Sequence, residues 1–229
     1  GLINKETISS ENPVPMQGLV MNMRRSIFQD IRVRQALTAA YDFEWMNKTL
    51  FHGQYERLQS FFHGSELAAT GTPSAVEMQV LSPLLTKLEP IQRQAVLDEW
   101  QLPTSDGSGF NRTELLKARQ LLLDASFYYQ DMKLYQPNGK PAQIEILMTG
   151  ETMGRVLLPY IRNLKRLGFE ATVRQVDGPQ YYERMRRFDY DMVVDVFAQS
   201  LSPGAEQVGF WGSAAADEAG NANTIGIKN

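Results

Sequence analysis

The stretch from Gln143 to Phe197 alternates between two hydrophobic periods, and few folds accept that alternation. Gln143–Met148 reads as an extended run. Met153, Leu157, Tyr160, Ile161, Leu164 and Leu167 then fall on one helical stripe, with Arg155, Arg162, Lys165 and Arg166 away from it. Gly168 ends that helix, because glycine takes the positive φ of a helix C-terminus without a Cβ penalty. Phe169–Val176 is predicted as strand, Pro179–Arg187 as helix and Tyr190–Phe197 as strand again. This order implies parallel pairing with right-handed crossovers, and so an α/β fold built on a mixed sheet flanked by helices.

Upstream, the segment to Gln17 is polar, carries Pro13 and Pro15, and reads as a lead-in (1–17) to a domain spanning 18–229. Gly18–Met23 is predicted as a buried strand. Asp30 is placed to cap a helix from Ile31 to about Tyr41, and Asp42 a second one carrying Phe43, Met46, Leu50 and Phe51 before Gly53. Ser74 and Glu77 have capping-box spacing and open a short helix through Leu81. Ile91–Trp100 has helical character. Asn111 and Glu114 repeat the cap-plus-acid spacing ahead of Leu115, Ala118 and Leu122. Asn138-Gly139, between Met132–Tyr135 and Gln143–Met148, predicts a hairpin. The tail from Gly212 ends on Ile225-Gly226-Ile227 without a stop signal, which suggests a truncated chain.

Composition narrows the function classes. A net charge of −3 gives no field that would recruit nucleic acid. The absence of cysteine removes disulfides, thiolate nucleophiles and Cys-ligated metals together. No apolar run reaches the ~18 residues of a membrane helix. His52 and His63 lack the i, i+4 spacing of a helical metal pair, and neither a phosphate-cradling glycine loop nor a Gly-x-Ser-x-Gly elbow is present. No metal or cofactor is expected.

Attention therefore moves to the end of the last strand. Alternation puts Asp189, Asp191 and Asp195 on one face, with Asp195 inside the apolar run Met192–Phe197. A carboxylate there needs a cation or several donors, either from within the fold or from the ammonium of a ligand. Ligands of open α/β sheets bind beyond the carboxyl ends of the strands. That places Phe197, Gln199, Ser200 and Ser202, and the aromatic Trp211, where hydrogen bonding to a peptide or sugar is possible. Ser202 or Gly204 could start a short helix facing the same crevice.

Phe28-Gln29-Asp30-Ile31-Arg32-Val33-Arg34-Gln35-Ala36-Leu37, followed by Tyr41-Asp42, resembles the Phe-x-Asp-x-Arg-Val-Arg-x-Ala motif of the extracytoplasmic solute-binding proteins of oligopeptide, dipeptide and nickel ABC importers, family 5. Asp42–Lys48, Ser60-Phe61-Phe62 with Ser65–Ala68, Leu158-Pro159-Tyr160 with Arg162–Gly168, and Gln199–Gly204 with Phe210–Ser213 are similar to the branch associated with microcin C-type and other extended peptide-like cargo. The resemblance implies a periplasmic binding protein type II-like lobe, the second and inserted lobe of a two-lobed protein, with the first lobe missing. Many peptide-binding relatives carry an aspartate just past the strand end, paired with the peptide ammonium. Phe197-Ala198-Gln199-Ser200 has no acid there, which fits blocked or modified peptides.

The function so implied is delivery of oligopeptides or modified peptides to a membrane-embedded ABC permease, in the periplasm or on a lipid anchor, by a non-catalytic monomer. Backbone groups from about Asp195 to Gln199 would pair with an extended peptide. Gln199, Ser200 and Ser202 would add polar contacts, and Asn22 would lie near the hinge. Two rival expectations stand beside it. One is a hydrolase or transferase in which Asp195 converges with Asp189, Glu206 or His63. The other is a docking domain presenting the Phe61-Phe62 loop.

Overall fold

The computed structural model describes residue 6 and residues 12–228. Part of the lead-in expected over 1–17 therefore lies outside the described residues. The strands are β1 (Met16–Met21), β2 (Tyr128–Gln130), β3 (Lys133–Tyr135), β4 (Gln143–Thr149), β5 (Glu170–Val176) and β6 (Met192–Phe197). The helices are α1 (Ile31–Ala39), α2 (Phe43–Thr49), α3 (Ala75–Leu85), α4 (Pro90–Leu97), α5 (Arg112–Asp124), α6 (Thr152–Arg166), α7 (Gly178–Arg186) and α8 (Glu206–Trp211). They divide into two compact units, one from 17–57, 103–196 and 203–229, the other from 1–16, 58–102 and 197–202.

The larger unit carries a four-stranded sheet in the order β1-β6-β4-β5. β4 pairs parallel with β5 from Gln143↔Glu170 to Thr149↔Val176, and parallel with β6 at Ile146↔Met192 and Leu147↔Val193. The expected α/β class and parallel pairing are both present. Ile144, Ile146 and Met148 alternate onto one face of β4, where Leu157, Tyr160, Ile161 and Leu164 of α6 and residues of α1 and α5 close the core. Each such aliphatic side chain contributes roughly 1.5–3 kcal/mol by leaving water. Leu147 and Val193 are buried as well, so both faces of the sheet centre are covered.

Polar side chains complete this core by satisfying the last carbonyls of α1. Tyr160 Oη donates to Leu37 O at 3.2 Å, Asn163 Nδ2 to Ala40 O at 2.9 Å, and Asn111 Nδ2 to Ala39 O at 2.9 Å. The four terminal carbonyls of a helix have no partner within it, so these bonds do the work of a C-cap. Asp30 and Asp42 cap α1 and α2 as expected, accepting from the amides of Arg32 and Trp45.

Three local expectations give way. Asn111 does not cap α5: it sits at φ +48°, and its side chain is committed to α1 instead. The hairpin lies one strand earlier. Asp131 and Met132, both at positive φ, turn β2 back on β3, the geometry of a type I′ turn. Asn138-Gly139 does make a tight turn, with Gly139 N donating to Gln136 O, but pairing beyond it stops at a single bridge, Tyr135↔Pro141. The next pair is diverted, because Leu134 N donates to Gly168 O and Ala142 O accepts from Glu170 N, and β4 pairs with β5 and β6 instead. The helix opened by Ser74 and Glu77 runs past Leu81 to Leu85, with Pro83 inside it.

The smaller unit is built on α3 and α4. The capping box is present, with Ser74 N donating to Glu77 Oε2 at 2.7 Å. Arg93 of α4 donates to Leu85 O and Leu88 O and so ties the two helices. Val14 N donates to His63 O at 2.8 Å, which joins the N-terminal segment to the Phe61-Phe62 loop.

Candidate functional site

β6 outruns its ladder. Paired with β4 only at Met192 and Val193, it continues to Phe197 with β1 as its other neighbour. Beyond Val193 side chains add to what holds the strand. Tyr181 of α7 donates its hydroxyl to Val194 O at 3.3 Å. Asp195 accepts twice, from Val196 N at 2.8 Å through Oδ1 and from Thr224 Oγ1 at 2.7 Å through Oδ2. Burial first, then the charges of Asp195 and Tyr182, raise the Tyr181 pKa above the usual tyrosine value, so its hydroxyl stays a donor. Asp195 is thus satisfied within the fold, by a hydroxyl and an amide.

Asp189 and Asp191 form a separate surface cluster. Asp189 pairs with Arg25 at 3.1 Å and Arg184 at 3.2 Å. Asp191 pairs with Arg25 and accepts from Glu145 N. The strict alternation expected along this strand fails at its middle, where Met192 and Val193 are both buried. A central strand covered on two faces has no solvent side, and the period of two disappears there.

Asn22, at the end of β1, is fully buried. Its amide donates to Phe188 O and Tyr190 O, and its carbonyl accepts from Arg24 N and Nη1. It has no surface to offer a ligand in this conformation and instead fastens β1 beside β6. Arg24 continues the network. Its guanidinium donates to Ala216 O at 2.7 and 2.9 Å, to Asn223 O at 2.8 Å and to Thr224 O at 3.3 Å, and lies 3.6 Å over the Phe188 ring. Burial lowers its pKa from the usual arginine value, against the opposing influence of Tyr190 and Asp217. Asn223, also fully buried, donates to Gly212 O and Ile227 O, and Tyr190 Oη donates to Thr224 O. The segment after α8 is thereby tied to β1 and β6, an arrangement that sequence reasoning missed.

Trp211 is half-buried in the same unit, donating Nε1 to Gln207 Oε1 at 2.8 Å beside the Phe210 ring. The short helix opens at Glu206, later than expected, and Glu206 folds back to accept from Gly204 N.

The remaining predicted residues lie in the smaller unit. Phe197 is buried, with the Phe61 ring edge-on at 5.4 Å. Gln199 is half-buried, Ser200 and Ser202 are exposed, and Ser200 Oγ donates to Ser202 O at 2.9 Å. Phe61 and Phe62 are each half-buried and do not present a bare aromatic loop. Among the described residues, no group of three or more His, Cys, Asp or Glu side chains is placed to hold a metal ion.

Residues 3–218 match the family model described as bacterial extracellular solute-binding proteins, family 5 Middle. The probable peptide-binding protein YejA of Agrobacterium fabrum is 40% identical over 215 residues, covering 93% of this chain and 34% of that protein. The peptidoglycan-binding protein YepA of the same organism is 34% identical over 229 residues, covering 100% of this chain and 37% of its own. The solved structure of the Bacillus subtilis oligopeptide-binding protein AppA with a nonapeptide aligns at a TM-score of 0.68. It covers 95% of this chain and 37% of that one at 19% identity, a likeness of fold. The chain thus spans little more than a third of the length of the curated relatives it matches.

Proposed function

Because the chain belongs to the bacterial extracellular solute-binding proteins of family 5, we propose that it is the inserted lobe of a two-lobed carrier that delivers oligopeptides or modified peptides to an ABC permease. The observation that carries this reading is the end of β6, which leaves the β4 ladder at Val193 and runs on as strand to Phe197. Such a run can pair with an extended peptide through its backbone, giving affinity with little sequence preference. Gln199, Ser200 and Ser202 would supply polar contacts, Phe197 a buried anchor for the run, and Trp211 an aromatic surface. Asp195 and Asn22 would act by holding the strands and not by touching cargo.

The carrier would be non-catalytic, monomeric, and periplasmic or lipid-anchored outside the cytoplasmic membrane. A carboxylate enzyme needs an acid and a base that converge on a substrate. Both oxygens of Asp195 are instead committed to Thr224 and Val196, and Asp189 to two arginines. The absence of an acid in Phe197-Ala198-Gln199-Ser200 favours cargo whose amino end is blocked.

Native mass spectrometry of the full-length protein, isolated from the periplasm without refolding, tests this directly. A co-purified ligand that fragments as a peptide supports the reading, and a ligand of another chemistry overturns the cargo class.

A further inference from the structure

Two hydroxyls and one carboxylate bond at the end of β6, past its last pair with β4, and the residues they hold follow a pattern. In an extended strand, alternate residues direct their backbone groups to the same edge. Val194 O, taken by Tyr181, and Val196 N, taken by Asp195, therefore belong to one edge of the strand. The other oxygen of Asp195 is anchored by Thr224, and Thr224 is itself fixed by its carbonyl, which accepts from Tyr190 and Arg24. The brace thus reaches from α7 on one side to the segment after α8 on the other. It ends at Val196, one residue before Phe197, the last residue of the strand.

We propose that Tyr181, Asp195 and Thr224 form a positioning brace that fixes the last residues of β6 and so pre-orders the adjoining backbone for an extended peptide. The inference rests on the peptide-carrier reading above and adds residues to it, none of which touches cargo. An unbraced strand end would sample more backbone conformations, and binding would pay the ordering entropy. Thr224 is the sharpest probe, because its hydroxyl is the only part of the side chain in the brace, and valine copies its shape.

The test uses the full-length protein with N-acetyl-tetraalanine and tetraalanine as probes, read by calorimetry, together with hydrogen exchange of the ligand-free protein. Thr224→Val is expected to weaken binding of the accepted probe about tenfold, the loss of roughly one hydrogen bond's worth of ordering. It should also speed amide exchange over 195–199 while the rest of the sheet keeps its protection. Thr224→Ser restores both, and Tyr181→Phe reproduces a weaker form of the defect. Unchanged affinity and unchanged local exchange in Thr224→Val overturn the brace. A uniform rise in exchange across the sheet, with serine failing to rescue, also overturns it, in favour of a purely structural role. If the wild type binds neither probe, the peptide reading is what fails, and the exchange data still decide whether the strand end is braced.

Discussion

Arg24→Lys keeps the positive charge at the end of β1 and removes the planar fork. The guanidinium supplies every contact at once: two bonds to Ala216 O, one each to Asn223 O, Thr224 O and Asn22 Oδ1, and stacking on Phe188 at 3.6 Å. Thr224 O keeps Tyr190 as a second donor, and Asn22 Oδ1 keeps the Arg24 amide. Asn223 O keeps Gly226 N at 3.2 Å, so Ala216 O, which takes two bonds from the fork, is the acceptor that depends on it. A lysine ammonium, a compact donor on a flexible stem, cannot reproduce that paired approach. Leaving one part-buried carbonyl unpaired costs about 1–3 kcal/mol, and losing the ring contact about 0.5–1 kcal/mol. The sum is about 1.5–4 kcal/mol, which for a chain of this size lowers Tm by roughly 3–16 °C. Thermal unfolding of wild type and variant, followed by circular dichroism side by side, measures it. A shift below about 2 °C would show that the segment after α8 melts independently of the sheet, and the reasoning would be wrong.

Other perturbations address the core and its caps. Asn163→Ala strips the donor from Ala40 O in a buried site and is expected to cost about 1–3 kcal/mol in urea unfolding; a loss within error of zero would mean that carbonyl finds another partner. Gly168→Ala forces a Cβ into φ +86° with Leu134 N and the Tyr129 ring 3.0 Å away, so a destabilisation of at least about 1–2 kcal/mol is expected. Equal stability would contradict the close approach. Asp30→Asn keeps the cap but removes the charge. Hydrogen bonding to Arg32 holds the Asp30 pKa below its usual value, so its contribution is complete above the unfolded pKa of about 3.9 and disappears as pH falls through the lower folded value. The stability gap between wild type and Asp30→Asn, under about 1 kcal/mol for so exposed a pair, should be present at pH 7 and close on strong acidification. A gap independent of pH would assign it to shape instead of charge.

The contrast between Asp30 and Asn111 shows what governs legibility. Both are small polar residues just ahead of an apolar helical run. Asp30 reaches an amide two residues away and caps as its spacing implies. Asn111 turns its Nδ2 to Ala39 O, 72 residues off in sequence, and from a left-handed backbone its Oδ1 makes no cap bond to its own helix. Likewise Asn138-Gly139 turned the chain as its residues require, while the pairing beyond it ended where Leu134 N went to Gly168 O and Ala142 O to Glu170 N.

By itself the sequence determined the α/β class, the order of its elements, the caps at Asp30, Asp42 and Ser74, and the stop at Gly168. These follow from periodicity and from contacts within a few residues, which are encoded locally. Tertiary structure alone decided that Asp195 belongs to Thr224, that Asn22 is sealed beside β6, and that Arg24 gathers carbonyls almost 200 residues downstream. Those outcomes depend on which buried acceptors happen to come within about 3 Å once the chain is closed, and every polar group withdrawn from water must then take whatever partner the closed chain provides.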